Sequence, residues 1–135
     1  MPLLLDTGVL YAMADADDDW HDKVIAYLRK TPDLLMTPVT VVPEAAYLLR
    51  SRLGARVERQ LISSLAAGEL SVESLTSADL TRTVALMASY PEIGFVDATV
   101  VAIAERLRLP KIATTDRRHF SSIAPKHRPA FELVP

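Results

Sequence analysis

Four acidic residues in this chain stand where an apolar run ends or a helical pattern begins. Asp6 follows the apolar run Leu3–Leu5, and Glu44 lies one turn into the helical pattern that follows the strand-like run Leu34–Thr37. Asp97 sits in the opening turn of a helix begun by Phe95 and Val96, and Asp116 follows the run Lys111–Thr114. In open α/β folds, ligands bind where strands end at their carboxyl edge and helices begin, so four acids distant in sequence can converge in space. Carboxylates brought together repel and raise one another's pKa values unless a cation neutralises them. Oxygen-only ligands suit Mg2+ or Mn2+, and such a metal can activate water and stabilise an in-line displacement at phosphorus. The chemistry these residues point to is phosphodiester hydrolysis, with Asp6, Glu44, Asp97 and Asp116 as the candidate catalytic set.

Each acid also has a structural reading. Asp6 and Asp116 could simply cap the turns that follow them, and Glu44 and Asp97 in first turns could only complement a helix dipole. It is the ordered set that points to chemistry. Asp15, Asp17, Asp18 and Asp19 form a tempting second cluster, but they lack the glycine and distal glutamate of a calcium loop and read as a solvated, helix-capping turn. His21, His119 and His127 show no metal-ligand spacing and read as surface or packing residues, although His119 lies near Asp116 and could touch a substrate.

The elements that must position the acids alternate. Short strand-like runs fall at Leu3–Leu5, Leu34–Thr37, Leu70–Glu73, Lys111–Ala113 and Phe131–Val134. Helical spacings lie between them: Trp20, Val24, Tyr27 and Leu28; Val42, Ala46, Leu49 and Leu53; Leu80, Val84 and Met87; Val96, Val100, Ile103, Ala104 and Leu107. Residues 56–66 also read as helical, closed by Gly68, and Ser77 or the acids near Asp19 supply helix-start signals. This alternation predicts a three-layer α/β/α sandwich around a short, mainly parallel sheet, as one domain over residues 1–135.

The opening Leu4-Leu5-Asp6-Thr7-Gly8-Val9-Leu10, the pair Pro43-Glu44, the run Asp97-Ala98-Thr99-Val100-Val101-Ala102-Ile103-Ala104 and the ending Ala113-Thr114-Thr115-Asp116-Arg117-Arg118-His119-Phe120 resemble PIN domains. The likeness is greatest to the toxin ribonucleases of VapBC toxin–antitoxin pairs, and it runs from the first strand to the last. The resemblance implies a Mg2+- or Mn2+-dependent endoribonuclease acting on RNA, with Asp6 and Asp97 as direct metal ligands and Glu44 and Asp116 completing the pocket. It implies Thr114 as a hydroxyl partner of an acid or of bound water. It also implies a homodimer and a cognate antitoxin whose C-terminal segment blocks the acidic pocket. Gly8 departs from the pattern, because the family often carries Ser or Asn there; that removes a side-chain hydrogen bond near the metal. The alternative is a catalytically inactive PIN-like binding module, against which the presence of all four acids speaks.

Composition narrows the rest. The 135 residues contain no cysteine, which removes a disulfide framework, a thiol nucleophile and a cysteine zinc site. No basic leader and no run of roughly 18 apolar residues is present, so a cytoplasmic protein free of the membrane is expected. The net charge of −2 hides an asymmetry. Residues 1–22 hold six acids and no Lys or Arg, whereas residues 101–135 hold seven bases against three acids. An acidic end beside a basic end suits a metal site next to a phosphate-binding surface, and Arg117 and Arg118 are the first candidates for that surface. Asp6-Thr7-Gly8 also matches the catalytic triplet of retroviral-type aspartic proteases, but those are β-rich with a glycine-bearing flap. This chain has only four glycines and is repeatedly helical.

Overall fold

The structure is a computed structural model that describes residues 1–135. Its strands are β1 (Pro2–Leu5), β2 (Leu34–Pro38), β3 (Ser71–Glu73), β4 (Lys111–Ala113) and β5 (Glu132–Val134). The helices are α1 (Thr7–Ala14), α2 (His21–Lys30), α3 (Val41–Leu53), α4 (Ala55–Ala66), α5 (Ser77–Ser89), α6 (Phe95–Arg106) and the short α7 (Arg117–Ser121). All strand pairs are parallel and the sheet order is β3-β2-β1-β4-β5. The chain winds outward from β1 through β2 to β3, then returns to β4 on the other side of β1. With right-handed crossovers, that reversal places α5 and α6 on the face opposite α1 to α4 and leaves a crevice at the carboxyl ends of β1 and β4. No helix is long and apolar enough to cross a membrane.

The interior explains why β1 is an unbroken apolar run. Leu3, Leu4 and Leu5 are all fully buried, as a parallel strand covered on both faces must be. They anchor a 25-residue core cluster, to which α6 contributes an uninterrupted buried stretch from Ala98 to Ala104. Helix α6 is therefore buried well beyond a single stripe, and its small residues let it lie close against the sheet. On α3 the buried positions are Val41, Ala45 and Leu49, one residue earlier than the expected Val42 and Ala46.

Helix α5 corrects the sequence reading. The stripe Leu80, Val84 and Met87 faces outward, with Val84 69% exposed, while Asp79, Thr83 and Leu86 are buried. Polar locking outweighs the apolar pattern here. Thr76 rather than Ser77 caps the helix, because the Thr76 hydroxyl accepts from Asp79 N while the Asp79 carboxylate accepts from Thr76 N, both at 3.0 Å. That same Asp79 then accepts from Arg106 Nε at 3.0 Å, and Arg82 forms a two-pronged pair with Glu105 at 2.7 and 3.0 Å. These links turn the polar edge of α5 toward α6. Burial alone would raise the Asp79 carboxyl, but the Arg106 hydrogen bonds and the capping box hold it below its ordinary value. At the start of α2, no side chain caps the helix; Asp18 instead accepts from Trp20 N at 2.9 Å.

The rotation of α5 is testable by paired truncation. Leu86→Ala should cost about 2–5 kcal/mol, as a fully buried leucine does, whereas Val84→Ala should stay within about 0.5 kcal/mol. Denaturant unfolding of both variants measures this; equal losses would mean that α5 presents the other face to the core.

Candidate active site at the sheet edge

The structure brings the four acids to one edge. Asp6 follows β1 directly, is 5% exposed, and caps α1 by accepting from Val9 N at 3.0 Å. Its other carboxylate oxygen accepts a short hydrogen bond from the Thr114 hydroxyl, which in turn accepts from Asp116 N at 2.9 Å. One buried threonine thus ties the acid after β1 to the acid after β4. Asp116 caps α7 by accepting from His119 N at 3.1 Å. The capping and chemical readings of Asp6 and Asp116 are therefore compatible, since in each acid the cap uses one oxygen.

A second threonine pair sets the other two acids. Thr40, at the start of α3, shares a 2.6 Å hydrogen bond with Thr99 of α6, whose hydroxyl donates to Val96 O at 2.6 Å. It holds the first turn of α3, with exposed Glu44, against the first turn of α6, with Asp97. A third link, from the Thr37 hydroxyl to Leu5 O at 3.0 Å, joins the ends of β2 and β1.

Ligand atoms of Asp97, Asp116 and His119 all lie within 4.8 Å of one another. Asp6 and Glu44 stand outside that tight group but within its electrostatic reach. Burial, then repulsion from Asp97 and Asp116, pushes Asp6 up to about 7, against the hydrogen bonds from Thr114 and Val9 N. Burial and the charges of Asp116 and Glu44 push Asp97 up to about 6, with His119 opposing them. No Lys or Arg forms an ion pair with any of the four; the one cationic partner is His119, whose Nδ1 lies 2.7 Å from Asp116 Oδ2. That hydrogen bond raises the His119 pKa. Oxygen donors crowded without a Lys or Arg, two of them pushed toward the neutral form by burial and mutual repulsion, fit a hard divalent metal.

His119 reads from the sequence as a surface or packing residue near Asp116; its place three positions on along a helix puts it within reach of that acid, and the structure pairs the two. Thr40 and Thr99 gave no signal, because a threonine at a helix start has many uses. Gly8 also has a packing reason. A Cβ there would meet Thr115 Oγ1 at 2.2 Å, so the Thr115 hydroxyl occupies the room that a Ser or Asn at position 8 would need. The neighbouring Thr7 hydroxyl is buried without a partner. Arg117 is engaged away from the acids: it donates to the carbonyls of Leu133 and Pro135 and stacks 5.5 Å over the Trp20 ring. The four acids near Asp15 behave as a turn, with Asp15 accepting from Asp17 N at 3.0 Å.

The raised Asp6 pKa has a stability consequence with a definite sign. The folded state prefers the neutral acid, so stability is complete below the unfolded value of 3.8 and is lost as pH rises through about 7. In EDTA, Asp6→Asn should therefore be more stable than the parent at pH 8, by on the order of a few kcal/mol, and melt higher there, but be no more stable at pH 4. Thermal melts at the two pH values check this, and an Asn variant less stable than the parent at pH 8 would contradict the assigned burial cost.

Comparison with known proteins agrees with this geometry. The PIN domain family model matches residues 3–126. Ribonuclease VapC26 of Mycobacterium tuberculosis is 31% identical over 135 residues, covering 98% of this chain and all of the relative. The crystal structure of M. tuberculosis VapC20, described as a sarcin-ricin loop cleaving toxin, superposes with a TM-score of 0.81 at 22% identity, covering 87% of this chain and 92% of that one. The VapBC2 complex of Rickettsia felis, bound to a DNA fragment from its promoter, gives 0.73 at 15% identity with full coverage of both chains. The parallel five-stranded sheet with helices on both faces is the fold these structures share. This chain belongs to the PIN-domain family, in its VapC branch.

Proposed function

We infer that this chain is an endoribonuclease that hydrolyses RNA phosphodiester bonds and serves as the toxin of a VapBC-type toxin–antitoxin pair. The observation that carries the reading is the convergence of Asp6, Glu44, Asp97 and Asp116 at the sheet's switch point with no Lys or Arg to neutralise them. Membership in the VapC branch supports the RNA substrate and the antitoxin partner. Asp6 and Asp97 would hold a divalent cation, Mg2+ or Mn2+, and Glu44 and Asp116 would complete the pocket. Bound there, the cation would neutralise charge developing on phosphoryl oxygens.

The chain's own groups do the positioning. Thr114 fixes one Asp6 oxygen and the Val9 amide the other, so the carboxylate cannot swing away from the edge. Asp116 accepts the hydrogen bond from His119 Nδ1 and favours the charged ring. That leaves His119 better suited to hold a proton at the rim, where a leaving oxygen needs one, than to bind metal. We also propose one domain over residues 1–135, supported by the continuous core cluster, and a cytoplasmic site of action. A homodimer is supported by the exposed apolar stripe Leu80, Val84 and Met87, a face that a second copy could cover.

The test is cleavage of total RNA by the purified chain with Mg2+ or Mn2+. EDTA or Asp97→Asn should each reduce cleavage by more than the ~10–100-fold typical of losing a group that only supports a ligand. Undiminished cleavage by a folded Asp97→Asn protein would overturn the assignment. A chain that binds its antitoxin but never cuts RNA would favour the inactive binding module.

A further inference from the structure

At the other end of α6 lies a second polar cavity, and it is basic. It has a volume of about 390 Å³ and is walled by Arg82, Arg106, Arg108 and Lys126, with Asp79 and Glu105 the only carboxylates. It opens between the start of α5 and the end of α6. Asp97 is in the first turn of α6 and Arg106 in its last, so roughly 13 Å of helix, at ~1.5 Å per residue, separates the two sites. The two carboxylates are already committed: Asp79 to Arg106, and Glu105 to Arg82 and to Lys126 N. They hold the wall rigid and leave the Arg108 guanidinium and the Lys126 ammonium without an ionic partner. On the same wall, His127 Nε2 lies 2.7 Å from Leu109 O, and its Nδ1 is buried with no partner.

Arg108 supplies an independent observation. It is the one non-glycine residue with positive φ, at +56°, immediately after the C-cap of α6. That position favours glycine, because a Cβ in the left-handed conformation clashes with the backbone. The left-handed turn is the helix end itself, closed by Leu109 N donating to Ala104 O at 2.8 Å. The Arg108 side chain makes no hydrogen bond or ion pair and is exposed, which leaves its guanidinium free on the wall of the cleft.

We propose that this cleft is a phosphate-binding exosite that grips the substrate RNA backbone away from the cutting site, with Arg108 and Lys126 as its contacts. The inference rests on the ribonuclease reading above. The two cations would neutralise phosphates without reading bases, which suits positioning rather than sequence choice. It also gives the basic C-terminal third a role that Arg117, bound to the chain end and Trp20, cannot fill.

The experiment measures binding of polyuridylate and of a uridine tetranucleotide across a salt series, in the Asp97→Asn background, with and without Arg108→Ala plus Lys126→Ala. Each lost single-strand phosphate contact flattens the log-affinity against log-salt slope by about 0.7, so the double change should flatten the polymer's slope by about 1.4 and leave the tetranucleotide's binding at the cutting site unchanged. Arg108→Gly alone should flatten the slope by about 0.7 without lowering the melting temperature, which separates lost contacts from damaged folding. Unchanged polymer slopes in the variants overturn the exosite. If the parent chain still cuts total RNA in that case, the exosite falls alone. A parent chain that neither binds polyuridylate nor cuts RNA removes both readings.

Discussion

Repulsion among carboxylates that the fold will not let separate is the constraint on which this molecule turns. Asp6 stands at the end of a strand buried on both faces, Asp116 follows the adjacent strand, and Glu44 and Asp97 ride on the first turns of two helices. The core fixes the elements, and the threonine bridges from Thr114 and between Thr40 and Thr99 fix the acids on them. Burial raises both Asp6 and Asp97, and repulsion among the acids adds to it, so that Asp6 is pushed up to about 7 and Asp97 to about 6. Against this stand the hydrogen bonds from Thr114 and Val9 N to Asp6, and one histidine at the rim beside Asp97. A site so arranged is stabilised by whatever doubly charged ion enters it, which links folding energetics directly to chemistry.

Three of the arginines are deployed away from the acids. Arg82 and Arg106 lock α5 onto α6 through Glu105 and Asp79, and Arg117 pins the chain end beside Trp20. Keeping guanidinium groups out of the acidic crevice preserves its appetite for an external cation. A partner protein that inserted one arginine there would meet four carboxylates with no Lys or Arg among them, which is a physical basis for inhibition by charge replacement.

Much of this was legible in the sequence, for reasons that differ by element. The apolar triplet Leu3–Leu5 followed by Asp6 announces a buried parallel strand ending in an acid, and both features are local. The strand-helix alternation announces the layered fold. Helix α5 misleads, because Leu80, Val84 and Met87 have the spacing of a core stripe, while the residues that actually orient the helix are Asp79 and Arg82, whose partners Arg106 and Glu105 are more than twenty positions away. The packing reason for Gly8 is hidden for the same cause, because it depends on Thr115, a neighbour only in space. Of the candidate site, the acids were visible by type and position, Thr114 as a hydroxyl beside an acid through the family resemblance, and His119 only as a sequence neighbour of Asp116; the Thr40–Thr99 bridge was not visible, since it exists only once α3 and α6 have met.

Anomalous diffraction from crystals soaked in Mn2+ tests the central claim most directly, because it locates the ion without reference to activity. One or two peaks are expected at the edge of the sheet beyond β1 and β4, with oxygens of Asp97 and Asp6 in the coordination shell and no peak there in Asp97→Asn crystals. A well-ordered crevice that stays free of manganese at saturating concentration, or a peak held by residues far from these acids, would contradict it.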